Sequence, residues 1–237
     1  MILIILVIGA LAFFLAFMFV NQSVVRSVAL LVSGVIFVGA TGLMVANYHN
    51  HYGMHQVTVE TTQRVYSASP ASPVNMVLYK PIGTNGTETV YLYGHTTTAK
   101  TPSHTTADEY TINRVHWTSG TTATRTTKTT RWEYRNDFDA WLFKWSGMEH
   151  TLIKRVNTFN LPRTWVKLSV KQAAKLQQQL KQPTVQAKMA TQGKQYVAAR
   201  VRAAMVKDPQ LSTSAQQRLM KQAQAEFEAQ AIRKLVQ

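Results

Sequence analysis

The pattern of apolar and polar positions changes twice along the chain, and each stretch predicts a different kind of element. Positions 2–20, ILIILVIGALAFFLAFMFV, contain neither a charge nor a proline. At about 1.5 Å per helical residue such a run nearly crosses a hydrocarbon core of about 30 Å. A second uncharged run, SVALLVSGVIFVGATGLMVA, fills 27–46. The connector between them, NQSVVR, has room only for an antiparallel turn, so the pattern predicts two membrane spans, 2–20 and 27–46, joined as a hairpin. A cleaved secretory signal would want a basic start, a shorter apolar core and a small-residue cleavage site. Met1, Ile2 and Leu3 supply no basic side chain, and no A-x-A pattern follows.

From 56 to 168 the period falls to two, in short runs rich in Thr, Val, Tyr and Trp bounded by Gly, Pro and Asn. That is the pattern of β-strands. Strands are expected at 56–67, 74–80, 88–95, 109–118, 121–135, 140–146, 151–157 and 164–168, forming an antiparallel sheet domain over 47–168. Asn85 and Gly86 tolerate the positive φ of a hairpin turn between the second and third strands, and Ser119 with Gly120 does the same between the fourth and fifth. In the fifth strand Thr122, Thr124, Thr126, Thr130, Trp132 and Tyr134 alternate with Arg125, Arg131, Glu133 and Arg135, which predicts one buried and one wet face. The chain's 5 tryptophans all fall in this region. They are expected mainly as core, with a sugar platform of Trp141, Phe143 and Trp145 on one side of a strand as the less favoured use.

Beyond Leu168 the period lengthens to about three and a half. Ser169 and Gln172 have the spacing of a capping box, Pro183 opens a second helix, and Thr213 to Gln216 are expected to cap a third. The apolar stripes here are thin, closer to a helical appendage or a self-associating seam than to a core. The expected architecture is therefore a membrane-anchored α+β chain: a helical hairpin over 1–46, an antiparallel β domain over 47–168 and a basic Gln/Ala-rich helical tail over 169–237.

Charge sharpens this picture. The formal net charge is +15, yet residues 1–46 carry only Arg26. Short loops rich in Lys and Arg stay on the cytoplasmic side, so the hairpin loop is expected inside, with the N-terminus and residues 47–237 outside the plasma membrane. Residues 169–237 hold 12 Lys or Arg against 3 acids. Lys171, Lys175, Lys181, Lys188, Lys194, Arg200 and Arg202 are the candidate polyanion-binding set, suited to anionic lipid headgroups or wall polymers. Nucleic acid would satisfy the same charge but is not expected outside a cell. The absence of cysteine removes thiolate catalysis and Cys-based metal sites.

Motifs for nucleophilic or phosphate chemistry, G-x-S-x-G, the Walker loop, G-x-G-x-x-G and H-E-x-x-H, are missing. Two weaker constellations stand in their place. Asp137 and Asp139 in NDFDAW would share a side if extended and, with His150, could serve acid–base catalysis. A turn with Asp139 as a cap accounts for them equally well. His49, His51 and His55 follow the second apolar run closely enough to suggest an all-imidazole zinc or copper site. No single regular element presents all three, however, and Tyr48 and Tyr52 beside them resemble an aromatic belt where a span leaves the bilayer. The belt is favoured, and no cofactor is called for.

A two-span hairpin, the run TTRWEYRNDFDAWLFKWSGMEHTLIKRVNTFNLP and a basic Gln/Ala-rich tail together resemble an uncharacterised family of membrane-anchored proteins of lactic-acid bacteria. That resemblance implies a Gram-positive plasma membrane and supplies no catalytic residues. The function expected is a non-enzymatic envelope module contacting wall polymers, lipid headgroups or a neighbouring membrane protein. An envelope enzyme using Asp137, Asp139 and His150 is the alternative.

Overall fold

The computed structural model describes residues 1–70, 72–83, 88–98 and 101–236. The chain opens with α1 (Ile2–Phe19) and α2 (Ser23–Asn50), both long and apolar enough to cross a membrane. They pack along one another. A Cβ on Gly9 would lie 3.1 Å from the backbone nitrogen of Phe37, so this small residue lets the helices approach closely. Helix α2 overruns the expected 27–46 at both ends, because the apolar run marks hydrophobic length and not the limits of the hydrogen-bonded helix. It ends where His51 turns left-handed at φ 52° and the next residue, Tyr52, donates its N–H to the Ala46 carbonyl at 3.2 Å.

Among the described residues eight strands follow: β1 (Met54–Arg64), β2 (Met76–Ile82), β3 (Glu88–Tyr93), β4 (Ser103–His104), β5 (Thr111–Thr118), β6 (Thr124–Tyr134), β7 (Leu152–Pro162) and β8 (Val166–Ser169). They form two sheets, ordered β1-β6-β7-β5 and β4-β3-β2-β8. The second sheet is mixed: β2 runs antiparallel to β3, with Ile82 opposite Glu88, but parallel to β8, with Met76 opposite Val166. The expected Asn85–Gly86 turn between β2 and β3 lies outside the described residues. The other expected hairpin does not form. β5 pairs with β7 and not with β6, and the 119–123 connection between β5 and β6 carries Ala123 into the core.

Of the segment expected as a strand at 140–146, residues 140–143 instead end a helix, α3 (Asp137–Phe143), and 144–146 turn away after it. Three more helices complete the chain: α4 (Val170–Gln179), α5 (Pro183–Lys207) and α6 (Thr213–Leu235). The Ser169 and Gln172 capping box is present. The Ser169 N–H donates to Gln172 Oε1 at 2.8 Å, and the Gln172 N–H donates to Ser169 Oγ at 3.1 Å. At α6 the cap is Ser212, one residue before the expected Thr213, its hydroxyl accepting from the Ala215 N–H at 3.3 Å.

The chain forms two compact units, one of Met1–Val59 with Thr129–Arg155, the other of Glu60–Lys128 with Val156–Gln237. In the second, Val65, Val77, Tyr91, Tyr93, Phe159, Leu161 and Trp165 make one cluster. A further cluster joins Val74, Met76, Val166 and Leu168 of the sheet to Leu176, Ala229 and Ile232 of the tail. The tail is therefore no loose appendage, because its few large apolar side chains are spent on the sheet. Arg233 adds to the join, donating to the Arg163 and Trp165 carbonyls at 2.9 and 2.7 Å with its guanidinium over the Trp117 ring. Burial pushes the pKa of Arg233 down, with nearby Arg163 acting in the same direction.

Burial does not keep to one face of β6. Tyr134 is buried, while Thr127, on the opposite parity, donates its hydroxyl to the buried Asn157 at 2.8 Å. Asn157 in turn donates to Asn113, so β6 serves more than one interior and the expected division into a buried and a wet face fails. Tryptophan is likewise not mainly core. Trp165 is buried, whereas Trp117, Trp141 and Trp145 are 41, 50 and 54% exposed.

Candidate functional site

The first compact unit brings most of the sequence-predicted chemistry to the region around α3. Asn136 opens that helix by accepting the Asp139 N–H on its side-chain oxygen at 2.9 Å. Asp137 and Asp139 sit in the first turn, where the helix dipole favours acids. This cap explains why an aromatic-rich segment folds as helix and not as strand. Residues two apart on a helix are about 200° apart around its axis, so the two carboxylates do not share a side as they would in a strand. Asp139 Oδ2 accepts from Asn136 Nδ2 at 3.0 Å. His150 lies elsewhere in the unit, at φ 61°, with Nδ1 3.8 Å from Glu133 Oε1.

The inner face of α3 carries Leu142 and Phe143, which join Ile2, Ala40, Met54 and Tyr134 in a buried cluster. The Tyr134 hydroxyl donates to the Phe143 carbonyl at 2.9 Å and lies 2.8 Å from Ser146 Oγ, fastening the helix and the turn after it. Burial raises the pKa of this hydroxyl. The Met1 ammonium donates to the Trp141 and Leu142 carbonyls at 3.1 and 2.7 Å, a favourable place for a cation at a helix C-terminus. Gly53, at φ 79°, takes a conformation that favours glycine, and its site is also tight, since a Cβ there would fall 3.0 Å from Asp139 Cγ.

The three histidines occupy three different settings. His49 is in the last turn of α2, edge-on to Tyr48 at 5.5 Å between ring centroids. His51 is the left-handed cap and stacks on Trp132 at 4.0 Å with the planes 16° apart. His55 lies exposed in β1. Among the described residues no three His, Asp or Glu side chains gather as metal ligands would. Sequence reasoning did not find a crevice of about 340 Å³ whose lining includes Leu3, Met44, Val45, Tyr48, His49 and Trp145.

In the second unit all seven candidate cations of the tail are exposed. Arg200 is already engaged, its Nη2 3.0 Å from Glu226 Oε2, and that hydrogen bond raises its pKa further. Lys188, Lys194 and Arg200 are spaced six apart on α5, so each is rotated by about 240° from the last. They point to three sides of the helix. Lys171 and Lys175, four apart on α4, share a face.

The chain matches a family described as a domain of unknown function over residues 22–176. It belongs to the DUF4811 family. The DUF4811 match takes in all of α2, both sheets, α3 and most of α4. No curated protein and no solved structure matches the chain.

Proposed function

We propose that this DUF4811 protein is a non-enzymatic, membrane-anchored module of a Gram-positive cell envelope, with α1 and α2 spanning the plasma membrane and the rest of the chain outside. The observation that carries this is the uncovered surface of the helical hairpin. Phe14, Leu15, Val35 and Val38 are among many large apolar side chains there that none of the described residues covers. Soluble proteins rarely leave so much contiguous apolar surface in water, whereas a helix with all its backbone groups bonded internally suits lipid. The close packing of α1 on α2 at Gly9 supports retention of the first helix over its removal as a signal.

The start of α1 and the end of α2 pack with α3 in one unit, which supports placing both on the same side of the bilayer. Arg26, the only charge in residues 1–46, favours a cytoplasmic loop. Reporter fusions after Gln56 and after the last residue are therefore expected to behave as extracytoplasmic. Cytoplasmic signals from both would overturn the topology.

The basic tail would then face anionic lipid headgroups, wall polymers or a neighbouring membrane protein, with self-association a further use of its helices. Replacing Lys171, Lys175, Lys181, Lys188, Lys194 and Arg202 by Gln is expected to weaken binding of the full chain to polyphosphate several-fold. Binding by the parent should fall steeply with salt, because exposed charges are screened over about 10 Å at about 0.1 M. Unchanged binding in the substituted chain would remove these cations from the site. The enzymatic alternative draws less support, since α3 separates Asp137 from Asp139 and His150 faces Glu133.

A further inference from the structure

Helix α3 has two apolar faces and a partner within its unit for only one of them. Leu142 and Phe143 are buried, but Phe138, Trp141 and Trp145 are 65, 50 and 54% exposed. Phe138 and Trp141, three residues apart, share a side of the helix, and Trp145 follows in the turn just past its end. The Phe138 and Trp141 ring centroids are 6.1 Å apart, and with the exposed Trp145 beyond the helix end they give the outer side of α3 and its following turn an aromatic patch. Its position is fixed by the same contacts that hold the span ends: the start of α1 is bonded to the Trp141 and Leu142 carbonyls, and Ile2 and Ala40 share a cluster with Leu142 and Phe143.

We propose that this patch docks into the headgroup region of the bilayer that α1 and α2 cross, with the adjoining crevice taking the upper acyl chain of a phospholipid in that leaflet. The inference rests on the membrane-anchored function argued above. Three observations select lipid over a protein partner. The patch continues an apolar surface that already belongs to the bilayer: Val45 of α2 and Leu3 of α1 are exposed and line the crevice together with Trp145. Its composition is that of the interface, where amphipathic Trp and Tyr rings concentrate, and Tyr48 and Tyr52 lie exposed at the end of α2. Lys144, exposed and between Trp141 and Trp145 in the sequence, supplies a cation beside the patch for a headgroup phosphate. A short helix of this kind lies in the interfacial plane and does not cross the bilayer. It would give the external part a second attachment beside the spans and limit its tilt.

The tryptophans themselves report the outcome, because neither α1 nor α2 contains one. The full chain is reconstituted into vesicles of phospholipid brominated either near the glycerol end or near the methyl end of the acyl chain. Insertion of the spans is followed separately by resistance to alkaline extraction. The expected result is that bromines near the glycerol end quench tryptophan emission more than those near the methyl end. Trp141→Phe combined with Trp145→Phe should abolish most of that quenching, and Trp117→Phe should leave it unchanged. An extraction-resistant chain whose quenching is absent, or survives the double substitution, overturns the interfacial patch and leaves it to a protein partner, with the anchoring intact. A chain released by alkaline extraction overturns the anchoring and the patch together.

Discussion

Truncation after Ser169 is expected to unfold much of the second compact unit. Leu176, Ala229 and Ile232 from the tail are buried with Val74, Met76, Val166 and Leu168 of the sheet, so removing 170–237 exposes both sides of that contact. Burying a single large aliphatic side chain contributes roughly 1.5–3 kcal/mol. Several such losses together reach the roughly 5–15 kcal/mol by which a whole domain is stable. The truncated chain also loses Arg233, which caps the Arg163 and Trp165 carbonyls. Thermal unfolding and limited proteolysis of the two chains in the same micelles measure the effect. A truncated protein with the parent's melting profile and protease resistance would show that the tail is, after all, an appendage.

The sequence pattern alone underestimated this contact for a definable reason. A stripe test counts large apolar residues on a helix, and it passes over small ones such as Ala229 of α6, which is completely buried in the cluster with the sheet. Likewise Gly193 of α5 receives the Phe227 ring, with a built Cβ only 3.2 Å from a ring carbon. Small residues at contact points carry no hydrophobic signal, so thin stripes can still be packed ones.

Other elements were legible because one physical signal dominated them. The two long apolar helices follow from uncharged length, and the α4 start from a capping box whose two reciprocal bonds form as expected. The α3 segment carried two signals at once. Trp141, Phe143 and Trp145 are spaced two apart, as in a strand, while Phe138, Trp141 and Trp145 are spaced as in a helix. Asn136 settles the matter by capping the first turn, and the aromatic patch exists only because it does. Strand pairing was less legible still. Turn residues such as Ser119 and Gly120 announce a reversal but do not say which strand comes alongside, and β7 takes the place beside β6 that a simple hairpin would give to β5.

Phe159→Ala should be the most damaging single substitution in the second unit's larger cluster. The ring is completely buried on β7, with its centroid 5.2 Å from that of Tyr91 and 5.4 Å from that of Tyr93. Both tyrosines are themselves buried, and Val77, Leu161 and Trp165 complete the surround. Neighbours anchored on several strands cannot collapse into the space, so the cost combines lost transfer energy with an unfilled cavity, about 3–5 kcal/mol. The urea midpoint of the full chain in micelles should fall accordingly, with Phe159→Leu losing less because part of the volume is kept. Ile112→Ala, at a half-exposed position on β5, serves as the control and should stay within about 0.5 kcal/mol of the parent. If Phe159→Ala and Ile112→Ala shift the midpoint equally, the ring is not the centre of a packed core and the assignment of that cluster fails.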